Sequence, residues 1–267
     1  MKAFRKILAL LLLSALIVST LTACKKNKSD TEKGLAECDK HLRSHSARVD
    51  ISIDFTCDDE ISGVFEELKK NTTAVYIDGD KLRSVNDQQI ETSGDVYRFT
   101  TEYTSLNGIL YRKTSYSLNG VIKNESREFS PITSEEKKTL GNKVCYVGGL
   151  GEDDFSTVTQ TQDGERLTFS FSGAKSSARV IMEEMMIELF ADTAELVDAT
   201  EVTLTVNTVN GAYESAVASC DYTVTIGGKA YTVRIDVRLA FTFDSGFAVS
   251  APGDYLEYIK SEASLLP

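Results

Sequence analysis

Apolar and polar residues alternate along much of the chain, and the alternation is cleanest near the C-terminus. There Val233, Ile235, Val237, Leu239, Phe241 and Phe243 are separated by more polar residues. A period of two places one set on a buried face and the other on a wet face of a strand. Three long runs of this kind are predicted, over 201–209, 213–226 and 230–243. Similar segments flank Asn107-Gly108 and Asn119-Gly120, and the tetrapeptide Ser-Leu-Asn-Gly occurs at 105–108 and again at 117–120. Asn-Gly supplies the positive φ angles that a tight hairpin turn needs, so this region is predicted to be a meander. Asp163-Gly164, Asn210-Gly211 and Gly227-Gly228 mark further hairpins. A first strand is expected over 48–55.

Helical periodicity is rarer. One helix is predicted from Asp30 or Thr31 to His45. A capping box, Thr133-Ser134-Glu135-Glu136, opens a short second one that Gly141 ends. The strongest covers 175–191, where Ala178, Ile181, Met182, Met185, Met186, Leu189 and Phe190 form a broad apolar stripe and Arg179, Glu183, Glu184 and Glu188 lie opposite. Pro252 is expected to begin a last helix through Tyr255, Tyr258 and Ile259. Together these elements predict an α+β chain with one large curved antiparallel sheet and a few helices on its concave face.

The first 23 residues have another character. Lys2, Arg5 and Lys6 precede an aliphatic run from Ile7 to Val18 that only Ser14 interrupts. That is the layout of a secretory signal, and the run is shorter than the ~20 residues a membrane span requires. It closes on Leu21-Thr22-Ala23-Cys24, which resembles the bacterial lipobox. The resemblance implies cleavage before Cys24 and acylation of that residue, hence a palmitate-type anchor on the outer face of a cell membrane, most simply in a Gram-positive bacterium. Several acyl chains hold far better than one, because each buried methylene contributes about 0.8 kcal/mol. Residues 25–34 are polar, without aliphatic side chains, and read as a flexible tether. The expected organisation is therefore a signal peptide at 1–23, an anchored tether at 24–34 and a single domain at 35–267.

Charge narrows the class of partner. The 267 residues include 29 Lys and Arg against 40 Asp and Glu. Losing Lys2, Arg5 and Lys6 with the leader leaves 26 basic residues against the same 40 acidic ones, a net charge of about −14. Such a surface repels nucleic acid. Besides Cys24, the chain carries Cys38, Cys57, Cys145 and Cys220. In an exported protein four cysteines allow two disulfides in three connectivities, and the sequence does not choose among these or the free thiols.

The lipobox, the tether, the N-terminal helix and the curved sheet with covering helices together resemble lipoproteins of the LolA/LppX-like half-barrel class. The closing segment VRLAFTFDSGFAVSAPGDYLEY (237–258) is similar to the end of such domains. The resemblance implies a groove between sheet and helices that shelters acyl chains, or the same scaffold reused for protein contacts. It transfers no signature residue.

Candidate chemistry is sparse. Cys38, His41 and His45 share one side of the first helix and are zinc-ligand types, but Leu35, Leu42 and Val49 continue the same apolar side, so packing explains them better. No G-x-S-x-G elbow accompanies the two histidines. Gly148-Gly149-Leu150-Gly151 runs into Glu152-Asp153-Asp154, which would repel a phosphate. That cluster and Asp58-Asp59-Glu60 lack the alternation of a calcium loop. The expectation is a non-enzymatic protein with no cofactor and no metal site. The methionines point elsewhere: beyond the initiator, all three lie in one helix. Met182, Met185 and Met186, with Phe190, form a candidate apolar groove for a lipid or other apolar ligand, since Met adapts to varied apolar shapes. The alternative is an envelope module that contacts another protein and has no ligand cavity.

Overall fold

The computed structural model describes residues 30–63, 72–133, 136, 140, 152–190, 196–261 and 265. The leader, Cys24, Cys145 and the Gly148–Gly151 loop lie outside them. The first helix, α1 (Asp30–Ser44), precedes β1 (Ser46–Cys57), β2 (Thr72–Asp78), β3 (Lys81–Thr92), β4 (Asp95–Leu106), β5 (Ile109–Leu118) and β6 (Val121–Pro131). Then come β7 (Phe155–Asp163), β8 (Arg166–Ala174), α2 (Ser176–Phe190), β9 (Leu196–Val209), β10 (Ala212–Ile226), β11 (Lys229–Phe243) and β12 (Ile259–Lys260).

All twelve strands belong to one open sheet, in the order β12-β6-β5-β4-β3-β2-β1-β11-β10-β9-β8-β7. Every described pairing is antiparallel except the two-residue β12, which runs parallel to β6. The expected α+β class with one large antiparallel sheet is thus found. The meander is present too: Asn107 and Gly108, like Asn119 and Gly120, have the positive φ values their turns require. Bulges between Tyr213 and Ser215 and between Ser219 and Asp221 bend the longest strands.

α1 and α2 pack on the same face. α1 crosses β10, β1 and β2, and α2 lies on β9 and β8. Beneath them the inward residues of β11, β10, β9 and β8 (Ile235, Tyr222, Leu204 and Phe171 among them) form a continuous buried core with Cys38 and Met182. The opposite face carries ion pairs: Arg48 with Asp50, Arg238 with Asp54, Arg234 with Asp221 and Arg83 with Glu102. The alternation read in β11 therefore maps directly onto the two faces.

Three details refine the expected elements. α1 begins at Asp30, as the helix predicted from Asp30 or Thr31 does, so the tether expected through residue 34 overlaps its first turn; Asp30 and Glu32 favour a helix start because they sit at its positive end. Within that turn Gly34 lies so close to β8 that a Cβ there would stand 2.9 Å from Phe169 Cζ. At the other end Pro252 does not open a helix. A single 3₁₀ turn over Tyr255–Glu257 is followed by extended backbone, because burying Tyr258 against Tyr111 and pairing 259–260 with β6 outweigh local helical preference. Finally, Glu183 does not face solvent. Its Oε1 accepts from the Ala199 amide at 3.0 Å, beside the bulge at Glu201, where φ is +50°.

Candidate functional site

The helix-bearing face has two unlike halves. Across β1 and β8–β11 it is filled by the protein's own side chains. Met182 is 0% exposed, and its carbonyl accepts from the Tyr222 hydroxyl at 3.0 Å. It is a core residue and lends no surface to a groove. Met185, Met186 and Phe190 belong to α2, but their side chains lie outside the described residues.

Across β3–β6 the same face is polar. Registers place Ser84 opposite Tyr103, Asn86 opposite Thr101 and Gln88 opposite Phe99, then Tyr103 opposite Arg112, Thr101 opposite Thr114 and Phe99 opposite Tyr116. Glu128 and Ser126 continue the rows on β6. Ser84, Asn86, Gln88, Thr101, Tyr103 and Ser105 are all buried. Two pairs satisfy each other: Asn86 Nδ2 donates to Thr73 Oγ1 at 3.1 Å, and the Thr114 and Ser126 hydroxyls are 2.7 Å apart. Arg112 is paired with Glu128. Of four buried atoms that make no well-formed hydrogen bond among the described residues, three lie on this face: the Tyr103 hydroxyl, the Ser105 hydroxyl and Arg112 Nε. Leaving such groups unmade costs about 1–3 kcal/mol each.

This face is also nearly free of charge. On β3–β6 Lys81, Arg83, Asp87, Glu91, Arg98, Glu102, Lys113, Glu125 and Arg127 alternate onto the other side, while Asp95, Arg112 and Glu128 fall on the inward rows. Next to the polar rows stand three aromatic rings. Tyr116 stacks near-parallel with Phe99 at 5.0 Å and with Tyr97 at 6.4 Å between centroids. Sequence reading missed this patch because its strands alternate polar with polar, which registers as weak patterning and not as a site.

The opposite face holds a second polar hollow. The segment 244–261 passes back over β1–β6, tied by the Val249 amide to Asp78 at 3.2 Å and by Asp254 to Arg127 at 2.9 Å and Lys113 at 3.3 Å. Beneath it is a cavity of about 270 Å³ lined by Arg83, Glu102, Thr104, Lys113, Asp254 and Tyr258. Its charges are already paired with one another, which fits a strap fastened to the sheet.

The remaining sequence candidates do not converge. Cys38 is buried, and burial pushes its thiol up to about 11; His41 and His45 instead stack on each other at 4.0 Å, with His41 edge-on to Phe243. Cys220 is likewise a buried thiol raised to about 12 and is not bonded to Cys38. Glu60 pairs with Lys229, and Asp154 accepts from Ser177 at 2.5 Å before α2, so each acidic cluster has a local structural role. The capping box is present as a reciprocal pair between Thr133 and Glu136, at 2.8 and 3.1 Å.

No protein-family model matches the chain, and no curated protein matches its sequence. Among solved structures it is similar to a β-barrel-like protein of a domain of unknown function from Brucella abortus, at 9% identity, over 75% of this chain and 97% of that one, with a TM-score of 0.25. A monomeric dehydratase domain from a trans-AT polyketide synthase matches over 75% and 83% of the two chains at 8% identity and a TM-score of 0.16. Likenesses this distant carry no function across.

Proposed function

We propose that the chain is a lipid-anchored, non-enzymatic binding domain of the bacterial envelope, of LolA/LppX-like type, held at the membrane through acylated Cys24. Its ligand is amphiphilic. The observation that carries this reading is the unsatisfied set on the helix-bearing face. Tyr103 and Ser105 are 4% and 1% exposed; their hydroxyls and Arg112 Nε lack well-formed hydrogen bonds beside an aromatic wall, the Tyr103 hydroxyl standing next to the Arg112 guanidinium. A ligand with acceptor oxygens and an apolar part supplies what both regions lack. This reading seats the ligand on β3–β6 and not against Met182, which is fully buried.

Native mass spectrometry of the protein extracted from membranes tests both parts. The expected spectrum shows a diacyl mass on Cys24 and a second, non-covalent amphiphile. Cys24→Ser is expected to abolish palmitate labelling and move the protein to the soluble fraction. An unlabelled wild type, or a Cys24→Ser variant that stays in membranes, overturns the anchor; absence of any copurified amphiphile overturns the ligand.

One observation favours a protein-interaction module as a second reading. Leu256 and Ile259 are 83% and 74% exposed on the strap, next to exposed Tyr255, and large exposed apolar side chains in one short stretch mark contact surfaces. Crosslinking on intact cells from a photoreactive residue at position 256 distinguishes it: a single envelope protein captured there supports this second reading.

A further inference from the structure

We infer, independently of any ligand, that the free edge of β7 pairs with the same strand of a second copy of this chain, joining two sheets across a two-fold axis at Gln160. The two ends of the sheet are built differently. At one end β6 carries Lys123, Glu125, Arg127 and Glu128. It is fastened to the strap by ion pairs of Arg127 with Asp254 and Glu257, and the two-residue β12 closes it. Short, charged edges of this kind discourage further pairing. At the other end β7 is the last strand among the described residues and pairs there with β8 alone. It is nine residues long, and from Phe155 to Gln162 it holds neither a charge nor a proline, in a chain with 29 basic and 40 acidic residues. Its side chains from Thr159 to Asp163 are exposed. It thus lacks the lysines, prolines and inward charges that guard an edge strand.

The hairpin register decides which backbone groups point outward. Asp163 and Arg166 are cross-strand partners flanking a two-residue turn with Gly164 at φ +59°, so they exchange both ladder bonds. Such pairs alternate along an antiparallel ladder. Thr161, Thr159 and Thr157 therefore bond to β8, and the amides and carbonyls of Gln162, Gln160 and Val158 point away from it. Opposing those groups in a second, antiparallel β7 sets Gln160 against Gln160 of the copy, Val158 against Gln162 and Thr159 against Thr161. Amides that both donate and accept meet on the axis, and β-branched threonines meet beside it. No like charges face each other, because Asp163 falls opposite Thr157. The rest of an acidic surface repels a second copy, whereas this strand is neutral and complementary to itself, which points to a second copy as its occupant. The contact uses the same patch on both copies and closes as a dimer.

Cysteine crosslinking on membranes that hold the full chain tests the pairing. Across the axis the two Cα atoms of position 160 would stand about 5.5 Å apart, within reach of a disulfide. Gln160→Cys is therefore expected to give a two-chain band under mild oxidation that reduction removes. Thr205→Cys lies two strands in, on β9, about 24 Å from its copy in this pairing, and is expected to stay single, as is the wild type with its native thiols. Sedimentation equilibrium of the full chain in density-matched detergent supplies the second measurement. The wild type is expected at twice the chain mass, and Gln160→Lys, which sets two ammonium groups on the axis, at least about tenfold weaker in dimerisation. Position 160 is exposed, so the lysine keeps the fold. Gln160→Pro removes the outward amide without breaking the β8 ladder and is expected to lose the dimer as well. A single-chain mass at every concentration, a Gln160→Lys dimer as tight as the wild type, or Thr205→Cys crosslinking as readily as Gln160→Cys overturns the pairing. A Gln160→Cys band that contains a different protein overturns the second copy as the occupant.

Discussion

The Tyr213 hydroxyl on β10 donates to Asp39 Oδ1 on α1 at 2.7 Å, and both residues are buried where the first helix meets the sheet. This contact holds an acid in the core. Burial pushes the Asp39 carboxyl up to about 7, against the Tyr213 hydroxyl and Arg43, which favour its ionised form.

The sign of the pH effect follows. Unfolded, the carboxyl titrates near 3.8; folded, it holds its proton to about 7. Between these values the native state binds more protons, so its contribution is full below about pH 4 and declines as pH rises through 7. Asp39→Asn keeps an acceptor for Tyr213 and removes the charge. Relative to wild type, the variant is expected to gain little stability at pH 4 and about 1–3 kcal/mol at pH 8. Urea melts at pH 4, 6 and 8 read this difference, and a gain independent of pH contradicts it.

Gly34 tests the packing of the same helix. Alanine is the better helix former by about 1 kcal/mol, so an exposed glycine replaced by alanine would stabilise. Here the added methyl would stand 2.9 Å from Phe169, a ring that is itself fully buried and has no space to yield. Overpacking costs about 1–3 kcal/mol. Gly34→Ala is therefore expected to lower the urea midpoint, and a raised midpoint would show that α1 is not seated on β8.

How much of this was legible beforehand depended on contrast between neighbouring residues. β11 alternates Val, Ile and Leu with Arg, Asp and Thr, and its faces were readable residue by residue. β4 alternates Tyr, Phe and Thr inward with Arg and Glu outward, and β3 sets Asn and Gln against Arg and Asp. There the period is the same, yet both faces are polar, so strand is readable and function is not. The methionine stripe has a related limit: a helix stripe records apolarity and not whether a residue meets a ligand or, as Met182 does, the sheet at Tyr222. The glutamate at 183 looked solvent-facing on a helical wheel because the wheel ignores the unpaired amide at Ala199.

The strap makes a further prediction. Burial raises the Asp254 carboxyl, but its backbone hydrogen bond and the Lys113 and Arg127 charges outweigh that and hold it below the usual range. A depressed acid contributes above its unfolded value and loses that contribution as pH falls through the folded one. Hydrogen exchange should therefore show the Val249 and Ser261 amides, which bond Asp78 and the Phe129 carbonyl, losing protection at acidic pH while the β10 and β11 amides keep theirs. Asp254→Asn should expose the same two amides at pH 7. Uniform protection across strap and sheet in the variant would mean that apolar contacts, such as Tyr258 on Tyr111, fasten the segment without the ion pairs.

Glu183 supplies the last test. In β9 the register slips between Thr200 and Thr203, where β10 runs continuously from Ser219 to Asp221, and the Ala199 amide meets the Glu183 carboxylate at 3.0 Å instead of a ladder partner. The side chain thus completes a backbone bond and ties α2 to the sheet at the bend. Removing an acceptor from a buried amide costs about 1–3 kcal/mol, so Glu183→Ala is expected to destabilise by that amount. Glu183→Gln retains a carbonyl at the same place and should recover most of it. If the loss were due to the charge, the glutamine variant would fall as far as the alanine one. If the contact were incidental, neither variant would move the urea midpoint, and α2 would be held by its other contacts, those of Met182, Ala178 and Ser177 among them.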